Sequence, residues 1–225
     1  MRTHLLSITA LALAAGLATP AAAQVNGIGV TEPAIAIAGS QALRTAYQQI
    51  GTTFAAQRTQ LEQLQTQHDT LMRQFDTNND GQLSDAEQQA AQANTAAVQQ
   101  LTTLEQTIQQ TRAPINLAQV YVIEQIALQY SAALQQVVTA GNISLVLNPS
   151  SVVYAADAVD VTDEIVAKLN TLVPTVSTTV PAGWQPQRQS VQLYQEVQQM
   201  LLTAAQQQQA AAQQAAPAQT PVQGR

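Results

Sequence analysis

With 225 residues, a net charge of −6 and no cysteine, the chain has room for one or two domains. It excludes disulfide and thiolate chemistry and argues against a nucleic-acid footprint. Charged residues make up 10% and aromatics 4%, while Ala and Gln dominate, a composition that favours long helices over a thick mixed core.

Residues 1–23 have the layout of a secretory signal. Arg2 supplies the positive start, residues 5–17 an apolar run, and Ala21, Ala22 and Ala23 a small-residue cleavage site before Gln24. The run falls short of the roughly 20 apolar residues a spanning helix needs. An exported protein, more acidic once Arg2 is removed, is the expectation. Residues 26–31 (NGIGVT) then predict a short strand, with Ile28 and Val30 on one face. Pro33 suits the first position of a short helix over residues 34–38, ended by Gly39 and Ser40.

A heptad seam follows. Leu43, Tyr47, Ile50, Phe54, Gln57, Leu61, Leu64, His68, Leu71 and Phe75 alternate steps of four and three. A second seam runs through Ala97, Leu101, Leu104, Ile108, Thr111, Ile115, Ala118 and Val122, and on through Ile126, Tyr130, Leu134 and Val137. Two such helices joined by a short connection predict an antiparallel hairpin with arms over residues 41–75 and 87–140. The first arm would be about 50 Å long. Gly51 weakens it, and Pro114 is expected to kink the second. A histidine on a seam, such as His68, is more often a packed or satisfied side chain than a lone metal ligand.

Between the arms lies DTNNDGQLSDAE, residues 76–87, which follows the calcium-loop pattern of an EF-hand position by position. Asp76, Asn78 and Asp80 supply alternating side-chain oxygens, and Gly81 permits the sharp turn. Gln82 offers its backbone carbonyl, Ser84 a direct or water-mediated ligand, and Glu87 a closing bidentate carboxylate. Ca²⁺ is a hard cation that takes six to eight oxygens, which gives this spacing its chemical reason. A polar turn between helices would share the Asn, Asp and Gly. It would not need the apolar Leu83 inside the loop or the glutamate at its end. Bound Ca²⁺ is expected to order the tip and bias the splay of the arms.

Gly141 and Asn142 end the return arm. Residues 143–148 (ISLVLN) alternate cleanly as a strand, Pro149 and Ser150 make a turn, and residues 151–154 (SVVY) predict another strand. A helix over residues 161–172 follows, with Thr162 as N-cap and Asp163 and Glu164 facing the dipole. Residues 174–225 form a proline-containing linker, which Trp184 could pin to the body, and a Gln/Ala-rich low-complexity tail. That tail can be helical over residues 190–214, with Val191, Tyr194, Val197, Leu201 and Leu202 on one side, and disordered beyond.

The order strand, long hairpin, strand, strand, short helix resembles the Skp/OmpH family of periplasmic chaperones. The stretch ISLVLNPSSVVYAADAVDVTDEIVAKLN carries most of the resemblance, ending in Asp160-Val161-Thr162 and its helix. It extends over residues 26–173, within a domain spanning residues 24–173. The fold it implies is mainly α, a long antiparallel coiled-coil hairpin on a small β body. The family resemblance further implies a non-enzymatic, trimeric holdase in the periplasm. Such a holdase takes unfolded outer-membrane proteins as clients; peripheral membrane contact could accompany that role, and the acidic charge argues against nucleic acid as a partner. Three features depart from the family pattern: the calcium loop at the tip, the acidic charge and the extension after Val173. A calcium sensor or buffer, or a structural coiled coil of the envelope, is the alternative. Residues 143–170 discriminate, since a chaperone body needs them and a calcium module does not.

Overall fold

The computed structural model describes residues 27–215. The signal at residues 1–23, the strand start at Asn26 and the chain beyond Ala215 lie outside the described residues. In chain order the elements are β1 (Ile28–Val30), α1 (Pro33–Ala38), α2 (Gln41–Thr53), α3 (Ala55–Arg73), α4 (Asp85–Ala93) and α5 (Thr95–Ala140). They continue with β2 (Leu145–Leu147), α6 (Thr162–Leu172) and α7 (Arg188–Ala215). The fold is mainly helical, with a two-stranded sheet.

β1 and β2 pair in parallel, Ile28 with Leu145 and Val30 with Leu147. A parallel pair needs a crossover, and here the crossover is the entire helical hairpin. Gly27 makes the junction possible. Its φ is +114°, its carbonyl accepts the amides of Ser144 (2.8 Å) and Leu145 (2.9 Å), and a Cβ there would lie 2.8 Å from Ser144 Oγ.

The predicted strand at residues 151–154 does not form. Asn148 instead caps a turn of 3₁₀ helix, its Oδ1 accepting from the Ser150 amide at 2.9 Å. Val153 and Tyr154 then stand in solvent, 106% and 86% exposed. The free edge of β1 is taken by Asp160, which bridges to Val30, with the Val161 amide donating to the Val30 carbonyl at 3.0 Å. Thr162 is not the cap of α6 either. Asp160 Oδ1 accepts from the Thr162 amide at 2.9 Å, while the Thr162 hydroxyl is buried against that of Thr31 at 3.2 Å.

The arms are each divided. The first breaks at Phe54 (φ −103°, ψ 24°) rather than weakening at Gly51. There Phe54, like Ile115, packs against the body core. The second breaks at Asn94, whose Oδ1 accepts from the Ala97 amide at 3.2 Å and so starts a new helix. α5 runs 46 residues across Pro114 as one helix. Proline removes one ladder hydrogen bond, but packing on either side, at Leu104 and at Ala118 and Val122, holds the helix together.

Burial falls into two clusters. The body core joins α1, α2, α5 and α6 through Ile37, Leu43, Val122, Ile123, Ile126, Ile165 and Leu169, each 2% exposed or less. A smaller tip core holds Leu71, Ala97 and Leu104, with Leu64, Phe75 and Leu101 half-buried around them.

The segment after α6 returns to the body. Gln125 and Ser177 exchange two hydrogen bonds, at 2.9 and 3.0 Å. The Trp184 indole donates to Glu124 Oε1 at 3.1 Å and meets the Tyr121 ring edge-on at a centroid distance of 4.9 Å. α7 then packs on α1 and α5.

Candidate functional site

The hairpin tip is where the sequence places its chemistry, and its geometry starts from two left-handed residues. Asn79 (φ +58°) and Gly81 (φ +80°) turn the chain so that the side chains of Asp76, Asn78 and Asp80 curl back over backbone amides. Asp76 accepts from Asp80 N at 3.2 Å and from Gly81 N at 2.9 Å. Asn78 Oδ1 accepts from Asp80 N at 2.9 Å, and its amide donates to Asp80 Oδ2 at 2.9 Å. Asp80 Oδ1 accepts from Gln82 N at 2.8 Å. These donors offset the repulsion expected among the carboxylates.

Glu87 closes the loop by a different route. One carboxylate oxygen accepts from the amide (2.7 Å) and hydroxyl (2.6 Å) of Thr77, the other from the amide (2.9 Å) and hydroxyl (2.7 Å) of Ser84. Ser84 Oγ in turn accepts from Glu87 N at 3.4 Å, completing a capping box at the start of α4. These bonds, led by that from the Thr77 hydroxyl, hold the Glu87 pKa down to about 2. The sequence carries the box legibly as Ser84-x-x-Glu87, within the calcium-loop pattern.

The loop therefore brings Asp76, Asn78 and Asp80 together, while Glu87 is engaged with Thr77 and Ser84. No cluster of three His, Cys, Asp or Glu side chains suited to a metal occurs among the described residues. The donor chemistry fits a hard divalent cation, since every candidate ligand is an oxygen. The turn at Asn79 and Gly81 suits such a loop. Leu83 is half-buried under it, and Gln88 donates to the Leu83 carbonyl at 2.9 Å.

Below the tip, His68 lies between the arms. Its ring nitrogens lie 3.4 Å from Asp69 and 3.9 Å from Glu105 of α5. Glu124 is the residue that the seam reading missed. It is 9% exposed and accepts from Trp184, Gln187 and Ser190. Its signal is a lone carboxylate inside the apolar run over residues 120–130.

Residues 27–169 match the model of a family described as outer membrane protein (OmpH-like). The chain belongs to the OmpH-like family. A crystal structure of an OmpH-like protein from Caulobacter crescentus, described as an outer membrane chaperone, is similar at 19% identity with a TM-score of 0.42. The match covers 78% of this chain and 95% of that one. No curated protein matches the sequence. The OmpH-like domain thus ends within α6, and the tip loop lies inside it while α7 lies outside. No described helix is long and apolar enough to cross a membrane.

Proposed function

We propose that this OmpH-like protein is a periplasmic holdase for unfolded outer-membrane proteins, exported through residues 1–23 and assembled as a homotrimer. Family membership over residues 27–169 is the observation that carries the reading. A long two-helix arm on a small body supports it, because holding an unfolded chain needs reach and apolar contact rather than a reaction centre. Along the arm Val98 and Leu117 remain 39% and 37% exposed, and half-buried Leu61 and Ile108 lie between the two cores. Turbidity after dilution of a urea-unfolded outer-membrane β-barrel tests it. A several-fold excess of this protein is expected to suppress aggregation, and unchanged turbidity would sink the reading.

The tip loop is proposed to bind Ca²⁺ through Asp76, Asn78, Asp80, the Gln82 carbonyl, Ser84 and Glu87. The metal would supply charge neutralisation and a tie between the loop's ends. Glu87 would have to exchange its bonds to Thr77 and Ser84 for the cation, which argues for modest affinity, on the order of 10⁻⁵–10⁻³ M. Calorimetric titration should give a binding heat, and Glu87→Gln should weaken the affinity about tenfold, or by about 1.4 kcal/mol. The absence of heat in the unsubstituted protein would leave the capping box as the loop's whole purpose.

A further inference from the structure

Beyond the family-matched residues, the first half of α7, residues 188–200, lies in a groove of the body. The face of α7 that meets the body runs Ser190, Leu193, Tyr194, Val197 and Met200. Ser190 Oγ donates to Glu124 at 2.6 Å, the Tyr194 hydroxyl to Gln119 at 3.0 Å, and Gln198 to the Tyr47 hydroxyl at 3.0 Å. Among the described α7 side chains Val197 alone is at 0% exposure, whereas α6 places both Ile165 and Leu169 there. The seat thus combines one fully buried anchor, with Leu193, Tyr194 and Met200 half-buried against the core, and three side-chain hydrogen bonds, a lighter hold than that of α6. All three donors to Glu124 come from the extension: Trp184, the Gln187 amide and Ser190. The vacated groove would present a bare carboxylate suited to the N-terminal end of a helix bearing hydroxyl and N–H donors. Beyond Met200 the seam continues through Leu201, Ala204, Gln208 and Ala211, and every described side chain from 201 to 212 is exposed.

We propose that α1, α2 and α5 form a helix-docking groove, which α7 fills in cis as a detachable strap latched on Glu124. With the latch open, the groove takes the α7 of a second copy of this chain. The occupant follows from the groove itself, whose hydrogen-bonding positions are already matched to the α7 sequence. The reach follows from the linker. Fourteen residues separate Val173 from Arg188 and extend to roughly 46 Å. Once Ser177 and Trp184 let go of Gln125 and Glu124, that exceeds the ~42 Å length of α7, so the strap can leave without disturbing α6.

The test uses full-length protein carrying Val197→Asp, which unseats the strap and leaves every groove residue unchanged. A labelled peptide of residues 184–204, standing in for the second copy's helix, is titrated by fluorescence anisotropy. Binding to the V197D chain is expected to be at least tenfold tighter than to the unsubstituted chain, and to weaken tenfold when Glu124→Gln is added. Equal peptide affinity for the two chains overturns the proposal. Hydrogen exchange on the unsubstituted protein decides independently of any misfolding of the variant. The amides of α7 at residues 192–200 should exchange through an opening that leaves α5 and α6 protected. Exchange of α7 only together with α5 and α6 makes it a fixed part of the core and overturns the strap.

Discussion

Glu87 shows how one side chain can serve two structures. Its four hydrogen bonds from Thr77 and Ser84 set the start of α4 and hold its pKa down to about 2 from 4.5. A carboxylate with a depressed folded-state pKa stabilises at pH values above its unfolded pKa, and that contribution is lost as pH falls through the folded value. In calcium-free buffer the amides of Thr77 and Ser84 should therefore stay protected from exchange at pH 5 and above. They should lose protection progressively between about 4.5 and about 2. Thr77→Val removes the first of these bonds and should raise the pKa of Glu87, measurable by carbon-detected NMR titration. An unshifted Glu87 in that variant would mean that Ser84 alone sets its charge state. Burial plays little part here, since hydrogen bonding dominates the shift.

Among the elements, the arm is the least uniformly supported. The tip core rests on Leu71, Ala97 and Leu104, separated from the body core by a stretch whose seam residues are only half-buried. Leu71→Ala should cost about 2–3 kcal/mol, at the low end for a buried leucine because the tip can relax into solvent. The loss should fall on the tip. Hydrogen exchange should quicken over residues 64–75 and 97–104 while α6 is unaffected. An equal acceleration in α6 would show the arm and body to be one cooperative unit. The heptad pattern made the two arms and their antiparallel pairing legible, because a packed seam repeats in sequence. It could not reveal the break at Phe54, which occurs where a seam residue is drawn into a core built by other elements. The break at Asn94 is legible as a capping residue before an apolar run.

For the whole molecule, the sheet is the telling feature. Two three-residue strands make a pair that is marginal by itself. Leu145 is 49% exposed, Ile28 36% and Ile35 43%, and Val153 and Tyr154 stand clear of the body. The proposed homotrimer would cover part of this surface. Light scattering at micromolar concentration should give about three chain masses, and Tyr154→Asp, a change at a side chain 86% exposed in one chain, should lower it. A monomer of the unsubstituted protein at that concentration would remove assembly from the functional reading.

The sequence by itself determined the helical hairpin, the position of its tip and the family resemblance in residues 143–170. Each of these rests on local periodicity or fixed spacing, which short-range sterics and hydrogen bonding translate directly into structure. The tertiary structure decided the rest. Residues 151–154 have strand composition, but Asp160 occupies the β1 edge and leaves them without a partner. The Gln/Ala-rich segment reads as low complexity, yet Glu124 lies 66 residues from Ser190 and supplies a buried acceptor that seats α7. Such contacts leave no period in the sequence, because each depends on where the long arms return the chain in space.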